Sequence, residues 1–337
     1  MNKKICLLIK LFVLFFIISC TSGTTVVKTT GEINMRSLEA DPEFSSVLIS
    51  INRELRLAYE YYLKGDFKKA LRVYKKAARS YMKYDYRHRL ATIYSNIGTI
   101  FLKINQLKTA KQYLRESTRL SHQFIRSKEV RIRIRAVNLY KIAKIYLFQN
   151  KLKQCKKLNS HSYKLNRQIT NYPGYAKNYR VDGMYYVAMK KYKKAVVSFT
   201  NAVKYNLTFS DFYDLILNRI SLGDIYLLKK KYKSALSQYK RALYIAKKRE
   251  YSEKINQVLY KFAVLWDKRK RYKRALGYYK RAYETALNLE TNDDIRRIRE
   301  KLSFDRIKQI YIMLKKTKDL KIYQEKINFF YYTRFKE

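Results

Sequence analysis

Two prolines and eight glycines in 337 residues leave little with which to build the turns of a many-stranded fold, so helices are favoured over sheets. The three cysteines, Cys6, Cys20 and Cys155, stand far apart with no CxxC pair, which excludes a disulfide framework and a thiolate zinc knuckle. His88, His122 and His161 show no HExxH or HxxxH spacing, and the glycines form no loop able to cradle a phosphate. With no such motif, no metal, no cofactor and no catalytic residue is expected, and the chain is not read as an enzyme. Acid is scarce too: 26 Asp and Glu stand against 75 Lys and Arg, a formal charge of +49. A surface of that sign is drawn to anions. Lys, Ile, Tyr, Asn and Phe are also favoured by AT-rich coding, which is a second source of the excess and needs no partner.

What the chain has is a repeat. Tyr232 to Ala246 laid over Tyr272 to Ala286 gives 9 identical residues in 15. The small residue of this block recurs as Ala70, Ala110, Cys155, Ala195, Ala235 and Ala275, at steps of 40, 45, 40, 40 and 40 residues. Six units therefore share one template, and self-similarity at such a period marks a stacked array. Each unit has two amphipathic stretches. The first carries a small residue one helical turn before a ring: Ala58 and Tyr61, Gly98 and Phe101, Ala143 and Tyr146, Gly183 and Tyr186, Gly223 and Tyr226, Ala263 and Trp266. Spacing of three puts both on one face, where the small residue permits close approach and the ring fills the space beside it. The second stretch adds Tyr74 and Ala77, Phe199 and Ala202, Tyr239 and Ala242, or Tyr279 and Ala282. Cys155 stands where other units have alanine, so its expected role is packing.

The N-terminus reads MNKKICLLIKLFVLFFIISC, a basic head and a short apolar run closed by Cys20. The run is short for a membrane span and fits a secretory signal. Its ending resembles the lipobox of bacterial lipoproteins. The resemblance implies loss of residues 1–19, acylation of Cys20, a mature chain with 72 bases and 26 acids, and permanent hold on a bilayer. Residues 20–45 read as the lipidated cysteine and a flexible tether, polar and without helical period. From Thr21 to Arg56 there are four bases and five acids, so the positive charge belongs to the repeats.

The alternation of small and aromatic residues resembles the tetratricopeptide repeat over roughly Ile51 to Leu302. The resemblance implies an all-α, right-handed superhelical solenoid of six extended helix pairs over residues 46–302, closed by capping helices over 303–337. The 40-residue period exceeds the family's usual length of about 34, so longer helices are expected. In the third unit Asn159 and Ser162 replace the ring and the alanine, and the template is degraded there. Val130 to Arg135 alternates like a strand but is read as helix from its flanks. Asp293 and Asp294 read as a helix start.

Two surfaces follow. The family's concave face, lined by first helices, holds a peptide or partner helix. By analogy the lining includes Tyr140, Lys144, Lys177, Arg180, Asp224, Tyr260 and Lys261, whose mix of rings and bases suits an acidic or aromatic segment. The turns supply a basic ridge of Lys190, Lys191, Lys193, Lys194, Lys230, Lys231, Lys233, Lys270, Arg271, Lys273 and Arg274. The expected role is a lipid-anchored scaffold of the bacterial envelope, facing the periplasm and binding a protein partner. The alternative is a polyanion or an anionic membrane surface held by the ridge, and the signal sequence argues against nucleic acid.

Overall fold

A computed structural model describes residues 42–83, 87–289 and 293–334, and among these all regular structure is helical. The helices are α1 (Pro42–Lys64), α2 (Phe67–Lys83), α3 (Arg87–Lys103), α4 (Leu107–Phe124), α5 (Lys128–Phe148), α6 (Leu152–Gln168) and α7 (Tyr172–Ala188). They continue as α8 (Tyr192–Thr208), α9 (Phe212–Leu228), α10 (Tyr232–Lys248), α11 (Ser252–Lys268), α12 (Tyr272–Leu287), α13 (Asp293–Met313) and α14 (Thr317–Arg334). The signal segment, Cys20 and most of the tether lie outside the described residues. Helix α1 already begins at Pro42, inside the segment read as tether, and the expected start of the cap at 303 falls within α13. The Val130–Arg135 stretch lies inside α5, and α13 begins at Asp293, as expected.

The long period has a simple origin. Helices α7 to α11 are 17 residues each and begin 20 residues apart. The 45-residue step between Ala110 and Cys155 arises because α5 has 21 residues and α4 has 18. Most turns close alike. Lys190 has φ 57°, its N–H donates to Val187 O at 2.9 Å, and Lys191 N–H reaches back to Tyr186 O at 2.8 Å, a left-handed cap that satisfies two terminal carbonyls. Asn105, Asn150, Thr170, Ser210, Lys230, Glu250, Lys270 and Lys315 also have positive φ, while Gly65 is the glycine in this role. These positions suit glycine, and a Cβ there costs roughly 1 kcal/mol. Thr170, exposed and β-branched at φ 48°, is the most strained choice. Thr170→Gly is expected to stabilise the protein by about 1 kcal/mol, read as a higher urea midpoint at unchanged slope; an unchanged or lower midpoint would contradict this.

The described chain divides into two compact units, residues up to 62 with 67–225, and residues 63–66 with 226 onward. In the first unit Ala58, Ala70, Ala110, Ala143, Cys155 and Ala195 are wholly buried. A Cβ added at Gly98 would stand 2.9 Å from Leu114 Cγ, and one at Gly183 would stand 2.8 Å from the Phe199 ring, so both glycines permit the helix approach read from the sequence. Cys155 packs with Ala143 and Val181 beneath Tyr140, Tyr146 and Tyr185. Burial pushes its thiol up to about 11, so it fills a hole and is no nucleophile.

The third repeat keeps its helix pair although its template is degraded. Asn159 donates to Asn178 O and Asp182 Oδ1, both at 3.0 Å. Asn178 donates back to Asn159 Oδ1 and to Ser162 Oγ, both at 2.9 Å. Asn166 donates to Asn178 Oδ1 at 2.7 Å, and Ser162 bonds Ala136 O at 2.8 Å. A satisfied amide network thus replaces ring packing between α6 and α7, as buried polar groups require.

In the second unit Ala235, Tyr239, Ala242, Ala263, Ala275, Tyr279 and Ala282 are buried at their template positions. Helix α13 is tied to α11 by Arg306, whose Nε and Nη2 meet Asp267 at 2.6 and 2.7 Å. Tyr283 of α12 meets Phe304 of α13 and Tyr323 of α14 at ring distances of 5.7 and 6.4 Å. These contacts supply the expected cover for the last repeat.

Among the template rings Phe101 and Trp266 are buried as expected, and the others differ. Tyr61, Tyr146 and Tyr186 are only half buried, and each carries a cation. Lys69 lies 5.5 Å from the Tyr61 centroid, Lys111 4.6 Å from Tyr146 and Lys194 6.0 Å from Tyr186. Arg274 likewise lies 4.9 Å from the ring of Trp266. Lys194 and Arg274 belong to the basic ridge, so two of its members also pack on rings within their own repeat.

Candidate functional site

Inside the first unit the first helices of successive pairs turn one face to a common cavity of about 410 Å³. It is lined by Tyr59 and Tyr62 of α1, Lys103 of α3, Tyr140, Lys141, Lys144 and Phe148 of α5, Lys177 and Arg180 of α7, and Tyr213 and Asp214 of α9, with Tyr74 from α2. Residues three and four apart share a helix face, which brings Tyr140, Lys141 and Lys144 together and sets Lys177 beside Arg180. Lys103 donates to Tyr213 OH at 3.3 Å, with its ammonium 5.3 Å from that ring. Residues 110 positions apart in sequence thus meet across the cavity.

The floor is an ion cluster. Asp211 accepts from Asp214 N–H at 3.2 Å, capping the start of α9. The Lys177 ammonium is held between Asp211 and Asp214, and Arg180 Nη1 meets Asp214 Oδ1 at 2.7 Å. Burial alone would push the Asp214 carboxyl up, but Lys177 and Arg180 overcome it and hold it well below the usual range. Burial likewise opposes the charge on Lys177, and the two carboxylates more than restore it. Above this floor Lys141, 4% exposed, rests on Ser95 Oγ at 2.9 Å and Ser95 O at 3.2 Å. Burial, with Lys177 adding, pushes its ammonium down to about 7. Lys144 stands over Phe148 at 5.8 Å; burial first, then Arg180 and Lys103, hold it well below the usual ammonium range.

Among the residues lining the cavity five are bases and one is an acid. Of the sequence candidates, Tyr140, Lys144, Lys177 and Arg180 meet here. Lys177 is 5% exposed and locked between carboxylates, so it braces the floor and does not face a partner. Asp224 does not line the cavity: α9 enters it through Tyr213 and Asp214, and ten residues along a helix is about 15 Å. Tyr260 and Lys261 belong to the second unit, where Tyr260 packs on Tyr279 at a ring distance of 5.6 Å. Lys103, Lys141, Tyr213 and Asp214 were missed. Asp214 lies 37 residues from Lys177, close to one repeat, which was the available signal. The eleven ridge bases are all exposed. Lys270, Arg271, Lys273 and Arg274 surround a second concavity with Trp266, Arg269 and Tyr272.

Among the described residues no group of His, Cys, Asp and Glu could hold a metal ion, and no helix is long and apolar enough to cross a membrane.

Two stretches, residues 50–121 and 219–249, match the tetratricopeptide repeat family. No curated protein matches the chain. Solved structures of like fold include a signal transduction ATPase with numerous domains and a tetratricopeptide repeat sensor, from Pyrococcus horikoshii, at 17% identity and TM-score 0.58. That match covers 83% of this chain and 42% of the other, so the chain spans less than half of that protein. A Rap protein complexed with competence and sporulation factor matches at 15% identity and TM-score 0.56, over 83% of this chain and 79% of its own. The Rap conjugation gene regulator of the plasmid pLS20, in complex with the Phr* peptide, matches at 12% and 0.58, over 87% and 81%. At these identities the likeness concerns the fold alone.

Proposed function

We propose that the chain is a scaffold whose first unit grips an acidic or aromatic segment of a partner protein in its inner cavity. The observation that carries this reading is the lining itself: besides Lys177, which braces the floor, four bases against one acid among six rings. Bases attract a carboxylate, and tyrosines supply contact area at low entropic cost. The tetratricopeptide repeats support a role in protein–protein interaction, and two structures of like fold hold partners, competence and sporulation factor in one and the Phr* peptide in the other. The setting is proposed from the sequence: Cys20, at the end of the apolar run, anchors the protein to a membrane of the bacterial envelope, with the repeats facing the periplasm. Labelled fatty acid should enter the wild-type chain and not Cys20→Ala; equal labelling would remove the anchor from this account.

The second reading, attraction of a polyanion or an anionic membrane surface to the ridge, is favoured by the exposure of all eleven bases and by the cluster around Trp266. The two readings separate by salt and by variant. Phosphate-type contacts weaken about 10³–10⁵-fold between 50 and 200 mM salt when six to ten are made. Protein retained from membranes by the full chain should survive that change and be lost on Lys144→Glu. Retention that disappears with salt, or on changing Lys230, Lys231, Lys270 and Arg271 to Glu, would favour the ridge.

A further inference from the structure

The cavity of the first unit holds more basic groups than its own acids answer. Asp211 and Asp214 are met by Lys177 and Arg180. Lys141 rests on the uncharged Ser95, and Lys144 on the ring of Phe148. Arg180 spends one Nη on Asp214, while its Nε is buried without a hydrogen-bond partner. Three nitrogen groups thus border one ring-lined space, and the group that would complete them is an anion. We propose that this cavity is a receptor for a carboxylate or phosphate borne beside an aromatic ring, and that the two lysines of α5 take up protons as the anion enters.

The charges around Lys141 are placed on every side. Helix α3 brings Lys103, α5 itself Lys144, α7 Lys177 and Arg180, and α9 with its preceding turn Asp214 and Asp211. Helices α1, α2 and α9 add the phenols of Tyr59, Tyr62, Tyr74 and Tyr213, and α5 that of Tyr140. Helix α4 offers the uncharged Ser117 and Thr118 to Asn138 of α5, with Lys111 on Tyr146, and α6 packs Cys155 on Ala143. Burial, and then the neighbouring cations, push the Lys141 and Lys144 ammonium groups down toward the neutral amine. An anion among them reverses the balance, because an opposite charge within a few ångströms favours the ammonium form. No covalent bond forms; each proton comes from solvent. The inference rests on the reading of this cavity as a ligand site but not on the ligand being part of a protein.

The test is titration calorimetry of the full chain with benzoate and with phenyl phosphate, against neutral benzamide, in buffers of differing ionisation heat. Benzoate or phenyl phosphate should bind at least about tenfold more tightly than benzamide, a difference worth about 1.4 kcal/mol. Near pH 8 the buffer series should show net proton uptake, and affinity should fall about tenfold per pH unit above 7 for the proton taken up by Lys141. Whichever of the two binds tighter identifies the headgroup as carboxylate or phosphate. Lys141→Met and Lys144→Met should each reduce the uptake, and the double variant should abolish it. Both replace an amine that rests on uncharged groups, so circular dichroism should show an intact helical fold. Benzamide binding as well as the anions, binding of neither anion, or uptake undiminished in the double variant would overturn the proposal. Anion binding with proton uptake in a chain that retains no partner protein would leave this inference standing and remove the scaffold reading.

Discussion

Lys177→Met is expected to destabilise the first unit by about 3–5 kcal/mol, the cost of leaving buried carboxylates without their cation. Asp211 and Asp214 are 6% and 7% exposed, and the ammonium between them is the contact they share. The triple variant that adds Asp211→Asn and Asp214→Asn should recover most of the loss, because well-packed neutral groups replace a buried ion cluster at little cost. Urea unfolding monitored by far-ultraviolet circular dichroism reads both. A Lys177→Met protein as stable as wild type would show that the cluster is not held as described. The pH dependence follows from the same groups. Asp214 is depressed in the folded state, so its contribution is present above the unfolded carboxylate value near 4 and is lost as pH falls through the lower folded value.

Asn178→Leu is expected to cost roughly 2–6 kcal/mol, at about 1–3 kcal/mol for each of the two groups left unpaired, Asn159 Oδ1 and Asn166 Nδ2. Its amide serves Asn159, Ser162 and Asn166 at once, and it is wholly buried. Asn218, one repeat on, bonds Asn206 Oδ1 at 2.7 Å, and its own Oδ1 has no partner. Asn218→Leu should therefore cost about 1–3 kcal/mol. Thermal melts of the two variants should separate clearly. Equal losses would mean that the network between α6 and α7 adds nothing beyond a single pair.

The fold was legible because its determinants repeat. The 40-residue spacing of buried alanines and the small-then-ring pairs sufficed to place the helix pairs, and Cys155 was readable as packing by its register alone. The asparagines share that period, since Asn138, Asn178 and Asn218 stand 40 residues apart. They were passed over because a template of small and aromatic residues treats a polar substitution as decay, whereas facing amides satisfy one another. Rings were read as core filler, yet a base in the following helix covers several: Lys69 on Tyr61, Lys194 on Tyr186 and Arg274 on Trp266, each eight residues on. The site was legible only in part. Tyr140, Lys144 and Arg180 followed from the family analogy, but the roles of Lys177 and Lys141 depend on what lies opposite, and that is fixed by the stacking of neighbouring pairs.

The central claim is that the inner cavity, and not the basic ridge, receives the partner. A photoreactive amino acid placed at Phe148, half exposed on the cavity wall, tests it in the full chain in living cells, beside the same amino acid at Lys230. The account predicts crosslinks at Phe148 to one contiguous acidic or aromatic segment, suppressed by excess benzoate or phenyl phosphate, and none at Lys230. Crosslinks at Lys230 with none at Phe148 would contradict it.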